Sequence, residues 1–394
     1  MWETNQMAKQ ISSPRGMRDF LPAEKSRRER ILAEILAVYQ SRGFQSIETP
    51  ALENLDRLLS GQGGDNEKLA FQVLKRGEEL EKAIQKDDAL ADLGLRYDLT
   101  VPLTRFYASN QAELPRVFKA LQTGPVWRAE RPQKGRYRQF NQCDLDILGE
   151  QSTDAELELL SASLEVLQAL GLDDAMIRVN HRGYLNRVMD GFGVSDPAGV
   201  LITVDKLDKV GIEGVEKELA EKYGPELASR VVVWLAEDSA QPEELSEIIA
   251  LSGKIKFDKT LVRGMGYYTG AVFEIEHPGS GQSIGGGGRY DGMVGRWLGK
   301  DVPAVGISLG FERVVDLVSK EFSAANSLVI IYEDINLALK IQQQAIAAGF
   351  DTRIEKRVKN TKALLESMHA QGYGSFAMLA DEQTFTKLEI KPLG

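Results

Sequence analysis

Arg128-Ala129-Glu130-Arg131-Pro132-Gln133-Lys134-Gly135-Arg136-Tyr137-Arg138-Gln139-Phe140 is the densest run of charge in the chain. Between residues 128 and 138 five basic side chains face one acid, a local charge of +4 within a chain whose net charge is −10. Strand-like sequence brackets it. Val117 to Gln122 and Pro125 to Arg128 precede it, and Phe140 to Ile147 follows with apolar and polar residues alternating over eight positions. The run therefore joins two strands as a hairpin whose tip bends at Pro132 and Gly135. Such a hairpin is either a solvated turn or a phosphate site. Arginines at both strand ends and at the tip suit the second, because the planar guanidinium matches phosphate oxygens.

The whole chain sets limits on that choice. At 394 residues, with 43% apolar and 27% charged side chains, the composition is ordinary for a globular protein of two to four domains, taking roughly 100 to 200 residues per domain. The single cysteine, Cys143, cannot close an intramolecular disulfide and points to a reducing compartment. Neither a leader-like apolar block nor a run of 18 apolar residues is present, so a cytoplasmic protein without a membrane span is expected. An acidic total argues against a surface given over to nucleic acid but leaves room for a local basic site.

Working outward, Glu24 to Tyr39 carries apolar residues at helical spacing, Gly43 breaks the pattern, and Phe44 to Thr49 alternates as a strand stopped by Pro50. Thr153, three residues before Glu156, predicts a capping box ahead of an apolar helix. Residues from about 174 to 252 are rich in helix formers and read as an insertion. Glu321 to Ser327 is linker-like, and beyond it Leu328 to Tyr332 opens an alternation of strand and helix, the pattern of a small α/β domain.

Three further stretches carry more glycine than packing explains. In Leu261 to Glu274, Gly264, Gly266 and Gly270 surround Arg263, Tyr267 and Tyr268, as in a bulged strand with core tyrosines or a backbone that lies against a ligand. Gly285 to Gly288 reads as a linker or as a strand bound to the committed sequence Arg289-Tyr290-Asp291, and it lacks a dinucleotide fingerprint. Ala304 to Arg313 alternates glycine with apolar residues and then places Arg313 at a helix start, where the dipole disfavours a cation unless an anion binds there. His181, His277 and His369 share no metal-ligand spacing, so no metal site is expected. Cys143 should face away from Gln142 and Asp144 as a buried thiol.

Taken in order, these segments resemble class II aminoacyl-tRNA synthetases, and within them the histidyl-tRNA synthetase family. Gly43 to Pro50 is similar to motif 1, residues 127 to 142 to motif 2, and residues 304 to 313 to motif 3. Arg263 with Tyr267-Tyr268, and Gly285 to Asp291, are similar to the two histidine-specific motifs. The resemblance covers residues 12 to 325 and, more weakly, 328 to 391. It implies an α+β fold: a catalytic domain over residues 1–325 built on an antiparallel sheet, with the helical insertion, and a shortened anticodon-binding-like α/β domain over 326–394.

The resemblance also implies roles. Asp98, Leu99 and Thr100 match the segment that holds the histidine amino group, and Gln142, Asp146, Tyr267 and Tyr268 match positions lining the histidine. Arg128 and Arg313 match the arginines on the α- and γ-phosphates of ATP. Glu130 and Phe140 match the adenine-holding residues, Arg136 joins the ATP site, and Arg263 matches the catalytic arginine, with Arg128 and Gln142 beside it. The implied reaction makes histidyl-adenylate from histidine and Mg-ATP, then passes histidine to tRNA(His), in a cytoplasmic homodimer. Positioning and charge carry phosphoryl transfer without a protein nucleophile. Arg131, Gln133 and Lys134 would touch the tRNA acceptor end.

Two departures stand out. Gly266 replaces the usual acid before the tyrosine pair, and the C-terminal region ends at Leu388 to Lys391, where the family adds another strand and helix. From residue 326 onward eight basic residues balance eight acidic ones, so bulk charge does not attract RNA there. Lys356, Arg357, Lys359 and Lys362 form a small basic cluster, either a solvated helix start or an RNA contact. Two alternatives follow: the non-catalytic regulatory subunit of ATP phosphoribosyltransferase, and a histidine-activating paralogue that does not charge tRNA.

Overall fold

The computed structural model describes residues 11–59, 69–132, 135–262, 267–320, 326–380 and 384–393. The chain divides into two compact units, one comprising Met1–Arg18 with Glu34–Val318 and the other Asp19–Ala33 with Ser319–Gly394. The first helix, α1 (Pro22–Ser41), contributes to both. Gly43, at φ +82°, turns the chain out of it.

In the first unit the strand expected over Phe44 to Thr49 shortens to β1 (Gln45–Ser46). A three-stranded antiparallel sheet follows, with β4 (Ala91–Leu95) between β2 (Leu52–Asn54) and β3 (Phe71–Leu74), and with α2 (Leu55–Leu59) and α3 (Gly77–Lys86) in the connections. Next come α4 (Thr100–Asn110), β5 (Phe118–Trp127), β6 (Gln139–Leu148), α5 (Asp154–Ala169) and β7 (Met176–His181). The helices α6 (Arg182–Phe192), α7 (Pro197–Val204), α8 (Leu207–Tyr223), α9 (Pro225–Ala236) and α10 (Ser246–Ala250) lead to β8 (Ile255–Phe257), β9 (Ala271–Glu276), β10 (Gly285–Arg289), α11 (Gly292–Leu298), β11 (Ala304–Gly310) and α12 (Phe311–Leu317).

Among the described residues the main sheet has eight strands in the order β1-β5-β6-β11-β10-β9-β7-β8. Its two end pairs, β1 with β5 and β7 with β8, are parallel, and the interior pairs are antiparallel. The two strands expected around Gly124 are one continuous strand, with Pro125 paired to Asn141. Proline is tolerated there because β1 flanks β5 only at Ala120 and Leu121, so no partner on that side needs the missing N–H at 125. Gly285 to Gly288 is no linker: it is an interior strand, buried along its whole length. The carbonyl of Gly306 occupies the place a Cβ at Gly287 would need.

Met176–His181 pairs with β9, so the helical segment starts at Arg182, later than its composition suggests. That segment has its own core, including Leu185, Met189, Val204, Val215, Leu219 and Val231. The expected capping box is absent. Thr153 has helical backbone angles and makes no side-chain cap, and Glu156 is drawn instead into a buried ion pair with Arg289.

In the second unit β12 (Ser327–Tyr332) lies parallel to β13 (Asp351–Lys356) and β14 (Ser375–Met378), with β15 (Lys391–Pro392) antiparallel to β14. Leu328 and Ile330 cluster with Ile341 and Ala345 of α13 (Ile335–Ala347), whereas Val329 and Ile331 cluster with Met368 of α14 (Thr361–Ala370). A strand covered on both faces reads as an unbroken apolar run, as Leu328 to Ile331 does. In the basic cluster, Arg357 pairs with Glu333 at 2.7 Å, and Lys362 lies 3.9 Å from Glu366. Among the described residues no helix is long and apolar enough to cross a membrane.

Candidate active site

Strand alternation places Gln142, Asp144 and Asp146 on one face of β6. Across from them on β11 stand Gly310, Ser308 and Gly306, in register. The glycines leave room that side chains would fill: a Cβ at Gly306 would run into Asp146 Oδ1 and the Tyr290 ring. The opposite face carries Cys143 and Leu145 into the core, and burial pushes the Cys143 thiol above its usual range, away from nucleophilic use.

Above the polar face lies a cavity of about 350 Å³. Asp98 and Thr100 line it from the start of α4, where Asp98 Oδ1 accepts the Val101 N–H at 3.1 Å. Leu99 does not line it; its side chain is in the core and its carbonyl accepts Gln122 Nε2 at 3.2 Å. Tyr267 and Tyr268 close a side, with ring centroids 4.7 Å apart. Tyr290 donates its hydroxyl to Asp146 Oδ1 at 2.5 Å.

The other end of the cavity is cationic. Arg128 sits at the end of β5 with its guanidinium carbon 5.0 Å from the Phe140 ring centroid, and its Nε donates to the Tyr97 carbonyl at 3.1 Å. Arg136 and Glu130 also line this end, 3.7 Å apart. Arg313 donates to the Ser283 carbonyl, and its neighbour Glu312 accepts the Asn141 N–H and pairs with Arg18. Arg263 and Gly266 lie outside the described residues, as do Gln133 and Lys134.

Three buried carboxyl groups therefore share one cavity, and burial raises the pKa of each. Asp146 is pushed up to about 7, with the Tyr290 hydroxyl opposing the rise. Asp144 rises well above the usual range through burial and then through the nearby Asp146 charge, and Asp98 rises through burial despite hydrogen bonding and Arg128. Gln142 Oε1 and Asp146 Oδ2 are buried without a hydrogen-bond partner in the protein. An acceptor floor of this kind favours a ligand with N–H donors, while the arginine end favours an anion.

A sequence model of the family described as Histidyl-tRNA synthetase matches residues 16–314. The chain belongs to the histidyl-tRNA synthetase family. The histidine–tRNA ligase of Leifsonia xyli subsp. xyli is 50% identical, and the match covers 98% of this chain and 99% of that protein. The crystal structure of histidyl-tRNA synthetase from Nostoc sp. PCC 7120 superposes with a TM-score of 0.77 at 25% identity, covering 98% of this chain and 97% of that one. A structure described as an ATP phosphoribosyltransferase regulatory subunit/histidyl-tRNA synthetase from Bacillus halodurans has a TM-score of 0.73 at 22% identity and covers 91% of this chain and 97% of that one, a likeness of fold. The α+β class expected from the family motifs, with its antiparallel-rich sheet, is the fold found.

Asp144, Ser308, Tyr290 and Glu312 also line the cavity, without an individual role read from the sequence. The signal for Asp144 was present, since it lies on the same strand face as Gln142 and Asp146, and Ser308 stands opposite it in register. Glu312 and Tyr290 act through partners 171 and 144 residues away, which spacing does not reveal.

Proposed function

We propose that the chain is a histidine–tRNA ligase working in the cytoplasm as a homodimer, which joins histidine to AMP at the expense of ATP and transfers it to tRNA(His). The observation that carries this reading is the two-ended cavity, with unmatched buried acceptors at one end and arginines at the other. Histidine would lie over β6. Asp98, Thr100 and Gln142 would take its ammonium, Asp146 a ring N–H, and Tyr267 with Tyr268 would flank the imidazole. ATP would lie at the arginine end, with Phe140 and Glu130 on the adenine, Arg128 and Arg136 near the α-phosphate, and Arg313 at the γ-phosphate. Arg263 would complete the set as the catalytic arginine. A histidine carboxylate held in line with the α-phosphorus needs no protein nucleophile, only orientation and charge.

Magnesium fits as a companion of ATP. Among the described residues no group of three His, Cys, Asp or Glu side chains could cage a metal. Mg²⁺ commonly uses one or two carboxylates plus substrate phosphates, and Glu130 and Glu312 are the carboxylates at that end. When bound it would neutralise phosphate charge. The second unit would serve as an anticodon-binding-like domain.

The test is histidine-dependent exchange of labelled pyrophosphate into ATP, followed by charging of tRNA(His). Absence of exchange refutes the reading; exchange without charging moves it to a histidine-activating paralogue.

Asp146 gives a separate check on the cavity. Its folded pKa, about 7, lies above that of an unfolded aspartate, so the native state holds an extra proton between the two values and stability falls as pH rises from ~4 through ~7. Asp146→Asn should flatten that portion of the ligand-free protein's melting temperature against pH. Parallel curves for the two proteins would contradict the assignment.

A further inference from the structure

A glutamine side chain has two amide orientations, and the groups around Gln142 select one. Its Nε2 donates to Ser308 Oγ at 2.9 Å and, at 3.4 Å, lies near Asp144 Oδ1. Ser308 stands opposite Asp144 in the β6–β11 register, so Gln142 Nε2 has an oxygen of each within reach. The amide nitrogen carries two hydrogens, enough to serve both oxygens at once. Turning the Gln142 amide over would bring its oxygen up to Asp144 Oδ1 and take the N–H donor away from both oxygens. The orientation that remains leaves Gln142 Oε1 buried, unpartnered and in the cavity wall.

We propose that Asp144 and Ser308 are positioning residues that act through Gln142, locking its amide so that the oxygen is presented to the ligand's ammonium group. Neither needs to touch histidine. Their effect is selection: a cavity with the oxygen outward accepts a cationic donor, and one with the amide reversed repels it. The inference rests on the reading that histidine is the ligand and adds how one of its contacts is set.

Competition during pyrophosphate exchange tests it with two probes that share the imidazole. Histidinol keeps the ammonium and lacks the carboxylate; 3-(imidazol-4-yl)propionate keeps the carboxylate and lacks the ammonium. With Ser308→Ala the KM for histidine and the inhibition constant of histidinol should both rise about ten- to hundredfold, the range for losing a hydrogen bond to a charged group. The propionate constant and the KM for ATP should move by less than about twofold. Asp144→Asn, whose amide can turn to donate, should follow Ser308→Ala, and Ser308→Thr, which keeps the hydroxyl, should restore most of the histidinol affinity. Equal weakening of both probes, or of neither, overturns the proposal, because damage to pocket shape does not distinguish an ammonium. A wild-type chain without histidine-dependent exchange overturns the functional reading itself, a result separable from failure of the variants.

Discussion

Arg128→Gln is expected to lower histidine-dependent pyrophosphate exchange by about a thousandfold, the scale of removing one preorganised charged donor from a phosphoryl-transfer site. The side chain is held before any ligand arrives. Its backbone N–H donates to the Arg138 carbonyl at 2.8 Å, its Nε to the Tyr97 carbonyl at 3.1 Å, and its guanidinium lies over Phe140. Glutamine keeps some hydrogen-bonding capacity and loses the charge, so the variant isolates the electrostatic part. The same charge lowers the pKa values of Asp98 and Asp144 against the rise caused by burial. Without it both carboxyls are easier to protonate, and the end of the cavity that should receive an ammonium weakens too. The expected pattern is therefore a collapse of kcat with a smaller rise in the KM for histidine, in a protein of unchanged melting temperature. A loss below about tenfold would exclude Arg128 from the transition state.

The parts of this site legible in the sequence are those that local rules encode. A +4 hairpin between two strands announces itself by charge, and the alternation of Phe140 to Ile147 gives the facing of Gln142 and Asp146 through its period of two. The continuous apolar run of Leu328 to Ile331 likewise specifies a strand covered on both sides. Failures arise where tertiary context overrides local preference. Gly285 to Gly288 has the composition of a linker, yet forms the middle of a sheet because neighbouring carbonyls and the Tyr268 ring stand where Cβ atoms would be at Gly287 and Gly288. Gly124 and Pro125 should separate two strands and do not, because β1 is too short to reach Pro125. Thr153 and Glu156 have capping-box spacing, but a charge 133 residues away competes for the carboxylate.

That distant charge supports the second large effect: Arg289→Met should destabilise the protein by about 3–5 kcal/mol, the cost of leaving a buried charge without its partner. Arg289 is 10% exposed and Glu156 5%. All five guanidinium N–H donors are used: Nε and one Nη2 hydrogen on the Glu156 carboxylate, the other Nη2 hydrogen on the Ser152 carbonyl, and Nη1 on the Glu150 carbonyl and Asp291. The fork thereby fastens β10 to the segment between β6 and α5, and the next residue, Tyr290, reaches Asp146 from that anchored strand. Methionine preserves volume while stranding the carboxylate and freeing two carbonyls. A drop in melting temperature on the order of 10 °C is expected, at a few degrees per kcal/mol for a unit of this size. Removing both charges, in Arg289→Met with Glu156→Leu, should recover much of the loss, since a buried pair replaced by apolar groups is often nearly neutral. The double variant should still bind histidine more weakly, because Tyr290 loses its anchor even when the charge problem is solved. If the single variant melts within a degree or two of the wild type, Arg289 is not the clamp; if the double variant recovers histidine affinity in full, Tyr290 is positioned by something else.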